Sequence, residues 1–153
     1  MPSVNRKAAR TALKNFLEPS LIPDPVVAVY EYPVTMKDIN GIYPIVVISS
    51  GGSERERKFL GATNPAATFV LNLEIFIRAS DPEAGLTEQS VETKLDDIEQ
   101  LINDAFANPA NVNAGGFDLL AYEGRTQVDK MEMDDGVIYR HELIPVKVRL
   151  LHG

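Results

Sequence analysis

FVLNLEIFIR, Phe69 to Arg78, alternates without a break: Phe69, Leu71, Leu73, Ile75 and Ile77 fall on one face, with Asn72, Glu74 and Arg78 among the residues opposite. A period of two belongs to extended backbone, so Ala67 to Ser80 is expected as a long, half-buried strand. Its apolar face needs a cover. Val91, Leu95, Ile98, Leu101, Ile102, Ala105 and Phe106 supply one, as a single stripe over about four helical turns. Asp81 to Gly85 reads as the turn before that helix, Thr87 as its cap, and Asn108 with Pro109 as its end. The expected fold is α+β: a largely antiparallel β-sheet, the long helix Thr87 to Asn108 packed across one face, and a short N-terminal helix nearby.

That N-terminal helix is read from Val4, Ala8, Ala12, Leu13, Phe16 and Leu17 within residues 4 to 17, with Ser3 placed to cap and Arg6, Lys7, Arg10 and Lys14 on the wet side. Pro19 is expected to end it, since Pro19, Pro23 and Pro25 remove donors and favour extended backbone. Val26 to Tyr32 and Ile42 to Ser49 are expected strands; the unbroken run Ile45, Val46, Val47, Ile48 points to cover on both faces, with Pro44 at the start or edge. Gly51 to Pro65 is expected as a long loop, GGSERERKFLGATNP, bounded by glycines and rich in charge. NVNAGG is read as a connector. The C-terminal part, 119–151, reads as a β-hairpin: Leu119 to Met133, a turn at Asp134, Asp135 and Gly136, then Val137 to Leu151. Apolar residues change parity there, from Val137, Tyr139 and Leu143 to Ile144, Val146 and Val148, which predicts a bulge near Leu143 to Pro145.

The chain has 153 residues, 44% of them apolar and 24% charged, which suits one domain over 1–153 with one hydrophobic core. Cysteine is absent, which excludes disulfides, thiolate metal sites and cysteine nucleophiles. A net charge of −7 argues against a nonspecific grip on DNA or on anionic lipid. No apolar run approaches the ~18 residues of a membrane span, and MPSVNRKAARTALKNF lacks the apolar core of a signal peptide, so a soluble protein is expected.

Chemistry is sparse. Only His141 and His152 could supply imidazole; His141 has Arg140 and Glu142 on the opposite strand face, and no serine stands in a G-x-S-x-G elbow. It reads as a strand histidine in a hydrogen bond, so no catalytic residue is assigned. Glu92, Asp96, Asp97 and Glu99 make an acidic patch on the long helix, open to a hard cation but more in keeping with a solvated face near Lys94. Neither glycine pair leads into a phosphate cradle. No metal and no cofactor is expected. Two partner-binding candidates remain. Arg55, Arg57, Lys58, Phe59 and Leu60 form either a plain solvated loop or a recognition loop whose two apolar residues anchor under a partner while the bases set orientation. Asp134 and Asp135 at the hairpin tip either discourage edge association or form a secondary interface.

The order of parts resembles the tail terminator, or tail completion, proteins of long-tailed bacteriophages. The likeness is carried by an amphipathic N-terminal helix, VAVYEYP and GIYPIVVISSGG, a charged loop, FVLNLEIFIRA, a helix ending LDDIEQLINDAF, the LAYEGRT segment and DGVIYRHELIPVKV, and it covers nearly the whole chain. It implies a structural virion protein and no enzyme. Such proteins form a six-membered ring of identical subunits on the head-proximal end of the tail, after assembly in the host cytoplasm. The ring caps the major tail tube protein, ends polymerisation, and presents a surface to the head-tail connector or stopper, while genome DNA passes through without specific binding. Two other readings stay open: another connector or stopper protein of the neck, and a small enzyme using Asp and Glu as acid and base.

Overall fold

A computed structural model describes residues 5–33, 44–56, 66–78, 88–132 and 138–150. The elements run α1 (Arg6–Leu21), β1 (Ala28–Tyr30), β2 (Ile45–Glu56), β3 (Ala66–Arg78), α2 (Glu88–Phe106), α3 (Pro109–Ala114), β4 (Phe117–Tyr122), β5 (Gln127–Glu132) and β6 (Ile138–Leu150). The protein is α+β, with a mixed, curled sheet and three helices among the described residues. The sheet order is β1-β2-β3-β6-β4, and β5 pairs with β6 beyond the end of β4. The expected antiparallel arrangement holds for β2–β3, β3–β6, β4–β6 and β5–β6, whereas β1 runs parallel to β2.

The alternation from Phe69 to Ile77 is realised in β3. Phe69, Leu71, Leu73, Ile75 and Ile77 join a core with Val46 and Ile48 of β2 and Ile144, Val146 and Val148 of β6. Val91, Leu95, Ile98 and Ile102 of α2 close that core, together with Ala9, Leu13, Leu17 and Leu21 of α1. Ile45 and Val47 are buried as well, on the other face, as expected of a strand interior to the sheet.

Several expectations are corrected: NVNAGG, expected as a connector, begins inside a helix, Asn111 to Ala114 belonging to α3. α1 does not end at Pro19, which lies inside the helix. The helix continues to Leu21 because that side chain fills the core, and Ile22 still donates its N–H to the Glu18 carbonyl at 3.0 Å. Its cap is Asn5, whose Oδ1 accepts from Ala8 N at 2.8 Å, while Ser3 lies outside the described residues.

The loop expected over Gly51 to Pro65 is only partly a loop. Gly51 to Glu56 extend β2, with Gly52 to Glu56 pairing with Val70 to Ala66 of β3, and 57–65 lie outside the described residues. The strand is polar because its register is set by the apolar pairs that precede it. A shift between Ser50 and Gly52 leaves Gly51 as the extra residue, and a Cβ there would meet Val70 Cγ1 and the Val70 carbonyl at 3.1 Å.

A further correction concerns the C-terminal hairpin. Its first arm is two strands, β4 against 146–150 and β5 against 138–143. Its tip, with Asp134, Asp135 and Gly136, lies outside the described residues.

Finally, β6 carries no bulge near Leu143 to Pro145 against β3, whose register is continuous from Tyr139 to Val148. The irregularity belongs to the opposite side, where residues 123–126 leave the ladder. Pro145 explains the place. Its carbonyl accepts from Glu123 N at 2.8 Å, so its missing N–H faces the same neighbour, at the point where β4 departs and a donor is least needed. The parity change arises because both faces are closed at this end: Tyr139 and His141 are buried on one face, Glu142 and Ile144 on the other.

Candidate functional site

Where β4 leaves β6, a cleft of about 470 Å³ opens between α2 and the connection to β5. Asp96, Glu99, Gln100 and Asn103 line its helix side. Their spacing of three, one and three puts them on one face of α2, beside the buried stripe. Tyr122 and Thr126 line the other side, and Gly124 turns the chain there at φ +76°. Tyr122 donates to Asn103 Oδ1 at 3.2 Å, and its ring lies against Phe106 with centroids 5.1 Å apart. Burial, then the carboxylates of Glu99, Glu142 and Asp104, push its hydroxyl pKa up to about 12.

Glu142 lies behind this lining. It stands in the core register of β6, opposite Ile75 of β3 on one side and Val128 of β5 on the other. It is 0% exposed, with its carboxyl set against Glu99 and the Thr126 hydroxyl. Burial first, and then Glu99 beside it, with Asp96 adding to the effect, raise its pKa to about 8, so the carboxyl is largely protonated at neutral pH. A neutral acid tolerates that position far better than a carboxylate would.

Sequence reasoning did not single out Glu142. The signal was present: counting back by twos from Val148, Val146 and Ile144 reaches Glu142, an ionisable residue in a core position. The buried Tyr139 and His141 hid it by making the opposite parity look inward.

Of the acidic patch read from the sequence, Glu92 pairs with Arg140, Asp96 and Glu99 face the cleft, and Asp97 borders a separate groove with Asp24 and Lys94. No group of three His, Cys, Asp or Glu is placed to hold a metal ion among the described residues. His141 sits on the sheet face away from Glu142, with Nε2 3.1 Å from Glu74 Oε1 and its ring 4.7 Å from that of Phe76. This is the hydrogen-bonded strand histidine expected of it.

Of the recognition-loop candidates, Arg55 is in β2 opposite Ala67. Arg57, Lys58, Phe59 and Leu60 lie outside the described residues, as does His152. No helix among the described residues is long and apolar enough to cross a membrane. Compared with known protein families and with curated proteins, the chain matches none.

The two ends of the sheet differ. At one, β1 is the edge strand, with Val27 and Tyr32 exposed beside it. The first half of α1 lies above that edge: Arg10 donates through Nε to the Glu31 carbonyl at 2.8 Å and through a terminal nitrogen to Ser50 Oγ at 2.6 Å. From Asn5 to Asn15 that helix carries Arg6, Lys7, Arg10 and Lys14 and no acid. At the other end, β4 and β5 form the edge; Tyr122, Val128 and Ile138 are exposed there, and Tyr122 lines the acidic cleft. Basic residues of α1 thus lie over one edge and acidic residues of α2 beside the other, and both edges carry exposed apolar side chains.

Proposed function

We propose that this chain is a structural virion protein that forms a cyclic ring at the head-proximal end of a phage tail, in the manner of the tail terminator proteins it resembles. One observation supports the reading: among the described residues the two edges of the sheet each carry exposed apolar side chains, with the basic first half of α1 over one and the acidic flank of α2 beside the other. Such a pair suits a head-to-tail contact between identical subunits, and repetition of that contact closes a ring when the rotation allows. Large exposed apolar side chains at two separate edges also ask for partners. In this reading six copies cap the tube of major tail tube protein, end its growth and present a surface to the connector or stopper. DNA crosses a channel that an acidic protein does not grip. The recognition segment Arg55 to Leu60, and secondarily Asp134 and Asp135, meet the tube or a neighbouring subunit. The largely antiparallel sheet with a long helix across one face belongs to the same reading.

Light scattering on a dilution series, with negative-stain images of the full chain alone and on added tail tubes, tests it. Rings, six-fold by expectation, support the proposal. A dimer at every concentration, with no ring on tubes, overturns it.

A second reading has one observation in its favour. A carboxyl that keeps its proton to about pH 8 beside Glu99, which lines a cleft, is a pattern used in acid-base catalysis. Against it, Glu142 is closed to solvent and a general acid must reach its substrate.

A further inference from the structure

We infer that the acidic cleft between α2 and the β4–β5 connection receives a cationic side chain from the first turn of α1, Arg6 foremost, of a second copy of this chain. The inference rests on the head-to-tail reading and names its contact.

Three observations converge. The first is a buried acid set among acids: Glu142 is fully buried with its carboxyl against Glu99 and the Thr126 hydroxyl of the lining, and Asp96 adds a further charge. The groups packed around Glu142 are Glu99 and Asp96 from α2, Tyr122 and Thr126 from the β4–β5 side, and the apolar Ile75 and Val128 on the flanking strands. No base is among them.

The second observation concerns the cations of the same chain near the cleft: Arg140, two residues from Glu142, pairs with Glu92, Lys94 lines the other groove with Asp24 and Asp97, and Arg125, on the rim between Gly124 and Thr126, is exposed. Third, the cleft suits a planar cation better than a metal ion. A hard divalent ion needs several oxygens converging at about 2.3–2.6 Å, and no such group exists among the described residues. A guanidinium instead spreads five donors over a plane, so it can address Glu99 and Asp96 together and lie against the exposed Tyr122 ring.

The occupant is a second copy because the matching surface is on this chain, at the wrong end to reach its own cleft. Arg10 anchors the first half of α1 over β1 and β2, while the cleft opens at β4 and β5. Arg6 and Lys7 are both exposed there. A neighbour placed head to tail brings them to the acids, and the new charge draws the proton from Glu142.

The test measures self-association of the full chain by sedimentation across salt and pH, for wild type, Arg6→Glu with Lys7→Glu, Glu99→Gln and Glu142→Gln. Each substitution is expected to weaken assembly at least about tenfold, as for charge pairs closed off in an interface. The combination of Arg6→Glu, Lys7→Glu and Glu99→Gln is expected to lose little more than either part, the mark of groups that act on each other. Calorimetric dilution in buffers of different ionisation enthalpy should show proton release on wild-type association at pH 7 that Glu142→Gln abolishes. If Glu142→Gln fails to fold, the Glu99→Gln cycle decides alone. An assembled chain indifferent to these substitutions, or one with fully additive losses, overturns the cleft contact and leaves the ring reading standing. A closed dimer with non-additive losses that forms no ring on added tail tubes overturns the ring and keeps the contact, and a chain monomeric at every concentration that also forms no ring on tubes overturns both.

Discussion

Ile75 and Glu142 are direct partners across β3 and β6, lie on the same face of the sheet, and are both 0% exposed. Ile75 has what it needs, apolar neighbours from the sheet, α1 and α2 in one continuous core. Glu142 has the burial beside a second acid, Glu99, with no cation among the described groups packed around it. The comparison teaches that closure to solvent is not by itself stabilising: the same position in the sheet favours a methylene and penalises a charge, and the fold meets the second case by keeping the proton on. The difference follows from what lies above each residue. Over β3 the layer is apolar, whereas at the β6 end it gives way to the acidic flank of α2.

The largest expected effect lies on the apolar side. Ile98→Ala, under the α2 stripe, should lower unfolding free energy by about 2–5 kcal/mol in a urea titration. A loss under about 1 kcal/mol would mean that the helix does not close the core. On the acidic side the lever is pH. In the fold Glu142 keeps its proton to about pH 8, while in the unfolded chain a carboxyl lets go near 4.5. The folded state therefore holds the extra proton between those values, and its contribution is full below the lower one and lost as pH rises through the upper. Stability should fall by up to about 1.4 kcal/mol per pH unit across that window. Glu142→Gln should remove this slope and raise the melting temperature at pH 8; an unchanged slope would show that Glu142 ionises freely.

Smaller effects sharpen the boundary between the two regions. Gly124→Ala, at φ +76° on the cleft rim, should cost about 1–2 kcal/mol, because a side chain there must adopt left-handed backbone. Asn5→Ala removes the α1 cap far from either residue and should cost about 1 kcal/mol. Least of all in stability, Phe59→Ser with Leu60→Ser, and separately Arg55→Glu with Arg57→Glu, should leave the melting temperature unchanged and still give tails that fail to stop or fail to join heads. Full complementation by both would move the docking surface to Asp134 and Asp135. His141→Gln with His152→Gln should leave particle assembly near normal; loss of assembly with an intact fold would revive the enzyme.

Legibility followed the range of the forces involved. β3 and α2 could be read because their periodicities are local and each buries one continuous apolar face. The polar end of β2 could not, since SGGSERE gains its strand conformation from β3 rather than from its own residues. Pro19 misled because proline disfavours helix locally, while Leu21 reaches the core only if the helix continues. As for the candidate surfaces, the acids of α2 were visible as a patch, but their convergence with Tyr122 and Thr126 depends on residues 123–126 leaving β6.

By itself the sequence determined the fold class, a single core built from β3 and α2, the absence of thiol chemistry, and the acidic character of the protein. These are properties of composition and of short-range pattern, which no arrangement in space can alter. The tertiary structure decided that β1 is parallel, that β6 passes Pro145 without a bulge, and that Glu142 is sealed in the core behind Glu99. Those outcomes depend on pairings between residues far apart in the chain, where the lost donor of one strand is matched by the departure of another and the cost of a buried acid is set by its neighbours across the sheet.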